Sequence, residues 1–213
     1  MRLALLVLLL NSVTICFSQS KTYSFVFLHK KSSVEQIPKE QLDKIMEGHL
    51  ANIERLAKEG KLIVAGPFDG GGGIFILNTT SAEEATRWLS TDPGVQANRW
   101  DIETLPYTPR IGSVCVAKEP YEMVSYHFFR FVETSTDRKD AERILNQHKE
   151  FVQGLNRGGN VITEGIFEPT GSIVILKEEL NSDAFESDPA IQQGLISVDH
   201  KRLWIAKGSF CEP

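Results

Sequence analysis

The sequence predicts an α+β fold in which two tandem ferredoxin-like units form an intramolecular dimeric α+β barrel. Two observations support this prediction. Residues 49–77 align without a gap with residues 148–176, so one segment is used twice. Each copy also shows apolar runs in the order β-α-β-β-α-β, which is typical of a split βαβ unit with both helices on one face of an antiparallel sheet.

The repeat also sets the domain boundaries, since residues 92–96 match residues 188–192 further along each copy. One isolated unit would expose an apolar sheet face, and two units can cover each other's faces. We therefore expect an internal pseudo-dimer that is monomeric as a chain; two separate units on a string are the alternative. The predicted parts are a signal peptide at 1–20, a first unit at 21–107, a linker at 108–122, a second, divergent unit at 123–209 and a tail at 210–213.

The elements of the first unit follow in order. An apolar, aromatic-rich run at 23–28 is typical of a strand, and 124–132 is its counterpart in the second unit. A helix follows, because apolar residues recur at helical spacing, and Gly60 is placed to end it. Runs at 61–65 and 74–78 predict two short strands. The helical positions are Leu42, Ile45, Met46, His49, Ile53 and Leu56.

A second helix and a strand complete the unit. Ser81 and Glu84 have the spacing of a capping box, so a short helix should begin there and stop before Asp92. Residues 100–105 predict the last strand. The glycine run at 70–73 is typical of a hairpin turn, because it lacks the frame of a phosphate-binding loop and no helix follows it.

The first 20 residues have the pattern of a secretion signal. Arg2 precedes an apolar run at 3–10 and a polar, small-residue end. That run is too short to cross a bilayer. We therefore expect a secreted or periplasmic protein without a membrane segment after signal removal. A lipid anchor at Cys16 is disfavoured, because Ile15 stands where a small residue is needed.

The composition excludes several functional classes. Apolar residues make up 41% and charged residues 24%, which is ordinary for a soluble globular protein. The net charge is −5 and no long basic cluster exists, so we expect no nucleic-acid partner. A metal site from His29, His49 and Asp69 has no support from spacing, and no cofactor motif is present. We expect a small-molecule ligand and neither metal nor cofactor.

Two cysteines remain once the signal is removed, Cys115 and Cys211. In an oxidising compartment an even pair can form a disulfide. Two unpaired thiols are the alternative.

A histidine lies on the apolar stripe of the main helix in both copies. His49 is followed twenty residues later by Asp69, and His148 is followed at the same distance by Glu168. A histidine oriented by a carboxylate is the minimal general base. The alternatives are that the histidines are core residues and that Asp69 stabilises the glycine turn.

These same residues carry a resemblance to a known family. The segments HLANIERLAKEGKLIVAGPFDG and EEATRWLSTDP resemble the YciI-like (YCII-related) family of small dimeric α+β barrel proteins. The resemblance covers nearly all of the first unit. The matching positions are His49-Leu50, Gly60-Lys61-Leu62, Ala65-Gly66-Pro67, Glu84-Ala85 and Asp92-Pro93.

The resemblance implies a His/Asp acid–base enzyme of isomerase or lyase type, acting without a cofactor on a small cyclic or enolic substrate. His49 would abstract the proton, and Asp69 would orient the His49 imidazole. A second site would lie at His148 and Glu168. A non-catalytic protein that binds a small ligand in the same pocket is the alternative.

Several features depart from the family pattern. Met46 and Leu145 stand where relatives often carry an arginine, and Glu168 replaces the aspartate. Relatives are also commonly single units without a signal peptide.

Overall fold

A computed structural model of the protein describes residues 21–134, 139–168, 171–177, 180–181 and 183–211. The predicted signal peptide and Cys16 lie outside these residues. Within them, no helix has the length and apolar character needed to cross a membrane.

The described residues form ten strands and five helices. They are β1 (Tyr23–Lys30), α1 (Lys39–Lys58), β2 (Leu62–Pro67), β3 (Gly73–Leu77), α2 (Ala82–Leu89), α3 (Pro93–Gln96), β4 (Trp100–Ile111), β5 (Ser113–Val114), β6 (Met123–Glu133), α4 (Ala141–Arg157), β7 (Val161–Phe167), β8 (Gly171–Leu176), α5 (Pro189–Gln192), β9 (Ile196–Ala206) and β10 (Phe210–Cys211).

Eight of these strands form one antiparallel sheet in the order β2-β3-β1-β4-β7-β8-β6-β9, so the mixed α+β class is as predicted. Strand β4 is longer than predicted. It continues through Ile111, inside the predicted linker, because Thr108 and Pro109 pair with β7 of the second half. The outer strands β2 and β9 also meet, through a bridge between Phe68 and Leu203.

The largest core cluster contains residues of both halves. Phe25 lies 5.2 Å from Phe167 between ring centroids, and Phe27 lies 6.1 Å from Phe128. Two further clusters lie between the sheet and the helices, one in each half. The aromatic cluster shared by the halves buries the apolar sheet faces that isolated units would expose.

Local signals place the ends of the elements in the first half. Helix α1 ends at Lys58, and Gly60 follows with φ +67°, which favours glycine. The Ser81 side chain accepts a hydrogen bond from the backbone N–H of Glu84 at the start of α2, as the capping spacing predicts. In the β2–β3 turn a Cβ on Gly72 would lie 2.3 Å from the Leu28 carbonyl oxygen, so this position requires glycine.

A disulfide bond joins Cys115 and Cys211 across 96 residues and holds β5 beside β10. A cross-link across a loop of this length removes much of the entropy of the unfolded chain. We expect Cys115→Ser/Cys211→Ser to lower the free energy of unfolding by about 2–5 kcal/mol in urea titrations. Wild-type protein titrated with and without reductant is the control, and equal midpoints in all samples would contradict the expectation.

Candidate active site

The second half contains a buried histidine–aspartate pair. His148 lies on the inner face of α4, and its Nδ1 lies 2.6 Å from Oδ2 of Asp188. Asp188 precedes α5, is completely buried, and accepts the backbone N–H of Ala190 at its other oxygen. The helix-capping bond fixes the carboxylate, and the carboxylate in turn orients the imidazole.

A cavity of about 130 Å³ lies beside this pair. His148 is in its wall, and the Nε2 atom of that ring is buried without a hydrogen-bond partner in the described part of the chain. Burying a polar atom without a hydrogen-bond partner costs free energy, so this nitrogen is an unusual feature of the cavity wall. The other lining residues are Arg110, Phe131, Glu133, Leu145, Lys149, Ile166, Gly171, Ser172 and Ile196.

The first half contains the matching histidine–aspartate pair. The aspartate bonded to His49 is Asp92 and not the predicted Asp69. His49 Nδ1 lies 2.8 Å from Oδ2 of Asp92, which also receives Asn52 Nδ2 at 3.3 Å. The other Asp92 oxygen accepts the backbone N–H groups of Gly94 and Val95. The expected pairing of His49 with Asp69 is therefore corrected to His49 with Asp92.

The predicted carboxylates lie elsewhere. Asp69 is exposed at the β2–β3 turn, and its backbone N–H donates to the carbonyl of Arg202 on β9. Glu168 is exposed just after β7. His148 pairs with Asp188 and not with Glu168, because each strand carries its carboxylate past the histidine to the far end of the hairpin.

The two pairs differ in what covers the imidazole. In the first half the Trp100 ring lies 4.8 Å from the His49 ring between centroids. A Cβ on Gly94 would lie 2.4 Å from that indole, so the tryptophan requires a glycine there. At an offset of 96 residues the second half has Ile196 for Trp100 and Ala190 for Gly94. The smaller Ile196 lines the cavity, whereas Trp100 packs against His49.

An ion pair lies next to the cavity. Arg110, one of the lining residues, is bonded through Nη2 to Oε1 of Glu164, which is buried. Sequence reasoning missed Arg110 because it falls within the predicted linker. It also missed Asp92 and Asp188, although the recurrence of Asp-Pro in both copies was a signal for them.

A second ion-pair cluster lies where the halves meet. Arg130 makes two bonds to the Glu103 carboxylate, at 2.7 and 2.8 Å, and His29 bonds the same group at 2.7 Å. The Arg130 hydrogen bonds lower the pKa of Glu103 to about 2. Arg130 also lies 4.3 Å from the Phe27 ring centroid. This cluster joins β6 of the second half to β1 and β4 of the first. The described residues contain no group of three or more His, Cys, Asp or Glu side chains placed to hold a metal.

The fold and the site define an antiparallel α+β protein with a buried histidine–aspartate pair in each half. Residues 23–105 match the family model of the YCII-related domain, and this match covers the first half only. No curated protein matches the chain. A crystal structure of a Fusobacterium nucleatum protein, described as a proposed monooxygenase, is similar with a TM-score of 0.52 and 7% identity, over 92% of this chain and 96% of that chain. At this identity the similarity concerns the fold alone.

Proposed function

We propose that the protein is an acid–base enzyme of isomerase or lyase type that acts on a small cyclic or enolic substrate at His148. The observation that carries the proposal is the His148 ring, which lines the cavity, is bonded to a buried carboxylate at Nδ1, and has a buried Nε2 without a hydrogen-bond partner among the described residues. The cavity volume of about 130 Å³ suits a single six-membered ring, since cavities near 150 Å³ admit benzene.

Asp188 gives the imidazole its chemical role. Because the carboxylate accepts a hydrogen bond from Nδ1–H, the acceptor lone pair of the neutral ring is on Nε2. Negative charge at Asp188 also stabilises the imidazolium that forms when Nε2 takes a proton from the substrate. His148 is therefore the proposed base and Asp188 its positioning residue, while His49 and Asp92, where Trp100 packs against the imidazole, are assigned a structural role.

The finer architecture belongs to the same proposal. We infer that the chain is an internal pseudo-dimer of two related units, supported by the shared aromatic core and by the contact between β2 and β9. Export through the segment at 1–20 is proposed from the sequence pattern, and the disulfide is consistent with an oxidising compartment. N-terminal sequencing of protein collected outside the cytoplasm tests this, and a retained residue 1 would exclude cleavage.

The function is tested with a matched pair of variants. We expect a thermal-shift screen of small cyclic ketones, enols and phenols to give hits on the mature protein that His148→Ala loses and His49→Ala retains. The reason is that only His148 lies beside the cavity. Hits of equal size in both variants would refute a site at His148. If the protein binds hits but never exchanges their C–H protons next to the carbonyl in D₂O, the non-catalytic ligand-binding alternative is favoured.

A further inference from the structure

We infer that Arg110 is a second catalytic residue, which receives the oxygen of an uncharged, enolisable carbonyl substrate. This inference rests on the function proposed above. It adds the group that stabilises the negative charge formed when His148 removes a proton.

Strand irregularity places Arg110 at the site. The pairing of β4 with β7 shifts register between Pro109 and Ile111, so Arg110 is the extra residue of a β-bulge. Bulges redirect side chains and are frequent beside active sites. The bulge is held on its far side, because the Thr163 hydroxyl donates to the Ile111 carbonyl at 2.9 Å.

Glu164 holds the Arg110 guanidinium in place and occupies only part of its N–H donors. The bond runs from one Arg110 nitrogen, Nη2, to Glu164, and no other partner of Arg110 occurs among the described residues. A guanidinium carries five N–H donors, so several remain for a ligand in the cavity. The Glu164 side chain is 5% exposed and that of Arg110 33%, so the pair is anchored at its buried carboxylate while the guanidinium reaches the surface.

The charges around the cavity favour an uncharged substrate. Arg110 is paired with Glu164, and the cavity wall also carries one further cation, Lys149, and one carboxylate, Glu133. Asp188 adds a further negative charge behind His148. An anion entering this site would gain little net attraction. During proton removal the carbonyl oxygen beside Arg110 becomes negatively charged. Arg110 would stabilise this oxygen more strongly in the transition state than it stabilises the uncharged carbonyl of the bound substrate.

The first half lacks the corresponding groups. At the repeat offsets Ala206 stands for Arg110, Ala65 for Glu164 and Leu50 for Lys149. The charged set therefore occurs in the half that contains the described cavity and not at the equivalent positions of the other half. This difference supports a role for Arg110 at the cavity and not in the fold that the two halves share.

The proposed step balances as a proton transfer. A C–H bond next to the carbonyl breaks and an N–H bond forms at His148 Nε2. The electron pair of the C–H bond moves into the carbonyl to give an enolate, whose oxygen accepts N–H bonds from Arg110. In a β,γ-unsaturated carbonyl substrate the enolate is conjugated with the C=C bond as a dienolate, and return of the proton from the imidazolium to the γ-carbon gives the α,β-unsaturated isomer; no oxidant or metal takes part.

Fluorinated ring compounds test the inference by ¹⁹F NMR titration. The probes are 4-fluorophenol, which resembles the enol and its enolate, and 4-fluorobenzoate, which is already an anion at neutral pH. We expect wild-type protein to bind the phenol more tightly than the benzoate and to lower the pKa of the bound phenol. In Arg110→Gln/Glu164→Gln, we expect about ten- to hundredfold weaker phenol binding and an unshifted phenol pKa.

The variants are chosen so that folding does not decide the result. Replacing both partners avoids leaving Glu164 buried as an unpaired charge. Lys44→Met, which removes an exposed cation of α1 that does not line the cavity, should leave phenol binding within about twofold of wild type.

Each outcome decides between the two proposals. Phenol binding that His148→Ala abolishes and the double variant retains would overturn the role of Arg110 and leave the function of His148 standing. Tighter binding of the benzoate would overturn the uncharged substrate class. Binding of neither probe would overturn the inference itself, whereas the function proposed for His148 fails separately if its screening hits persist in His148→Ala.

Discussion

Asp188→Asn is expected to move the ring proton of His148 from Nδ1 to Nε2 and so to remove the base. The asparagine amide can still accept the backbone N–H of Ala190 through its oxygen. Its NH₂ group then faces Nδ1, which must act as an acceptor, and the proton of the neutral ring shifts to Nε2. A comparable carboxylate-to-amide change behind a catalytic histidine lowers turnover about 10⁴-fold.

This effect can be measured without knowing the substrate. Long-range ¹H–¹⁵N NMR spectra distinguish protonated from unprotonated ring nitrogens. We expect His148 Nε2 to be unprotonated in the wild type and protonated in Asp188→Asn. Thermal-shift hits that need an acceptor at Nε2 should be lost at the same time. An unprotonated Nε2 in Asp188→Asn would contradict the role assigned to Asp188.

Asp92→Asn is the matched control for Asp188→Asn. Asp92 has the same position before a short helix and the same bond to a histidine, so both variants change a buried capping carboxylate. The cost to folding should be larger in Asp92→Asn, because its new NH₂ group also faces the Asn52 amide nitrogen. Ligand binding at the cavity should fall only in Asp188→Asn, since His49 does not line it.

Periodicity predicted most of the fold because the core is built from it. The stripe containing His49 became helix α1, and the continuous apolar run at residues 23–28 became β1, whose first six residues are buried. The end of β4 was missed for a physical reason. Residues 108–111 contain a proline and alternate weakly, and they are held in a strand by pairing with β7, a contact distant in sequence.

The histidines were identified from the sequence, but their partner was not. From His49 to the end of α1 the chain travels about 14 Å, and the six residues of β2 return it by about 20 Å. The strand therefore overshoots the imidazole before it reaches Asp69. Asp92 lies 43 residues from His49 and is brought back by a second helix, so a distance count along one hairpin could not find it.

The difference between the two halves required the structure. The sequence marks the second unit as divergent, which favours the first unit as the working one. Side-chain packing favours the opposite assignment, because Ile196, which differs from its counterpart Trp100, lines the cavity. At this position the second half lacks the tryptophan that packs on His49 in the first half.

Ile196→Trp/Ala190→Gly should close the cavity by rebuilding the packing of the first half. The indole would lie against His148 as Trp100 lies against His49, and the glycine removes the Cβ that would otherwise clash with it. We expect at least tenfold weaker binding of every ligand that needs His148, measured by thermal shift and ¹⁹F NMR. The stability cost should stay near 1 kcal/mol, which is typical of alanine to glycine in a helix.

The reciprocal exchange makes this test specific. Trp100→Ile/Gly94→Ala should open a cavity beside His49 and create weak ligand binding that His49→Ala abolishes. Ala190→Gly alone controls for backbone effects and should bind normally. If the folded Ile196→Trp/Ala190→Gly protein bound its ligands as wild type does, the cavity at Ile196 would not be the binding site. Loss of binding there and its appearance beside His49 would locate ligand access at these two positions, since the buried histidine–aspartate pair itself is common to both halves.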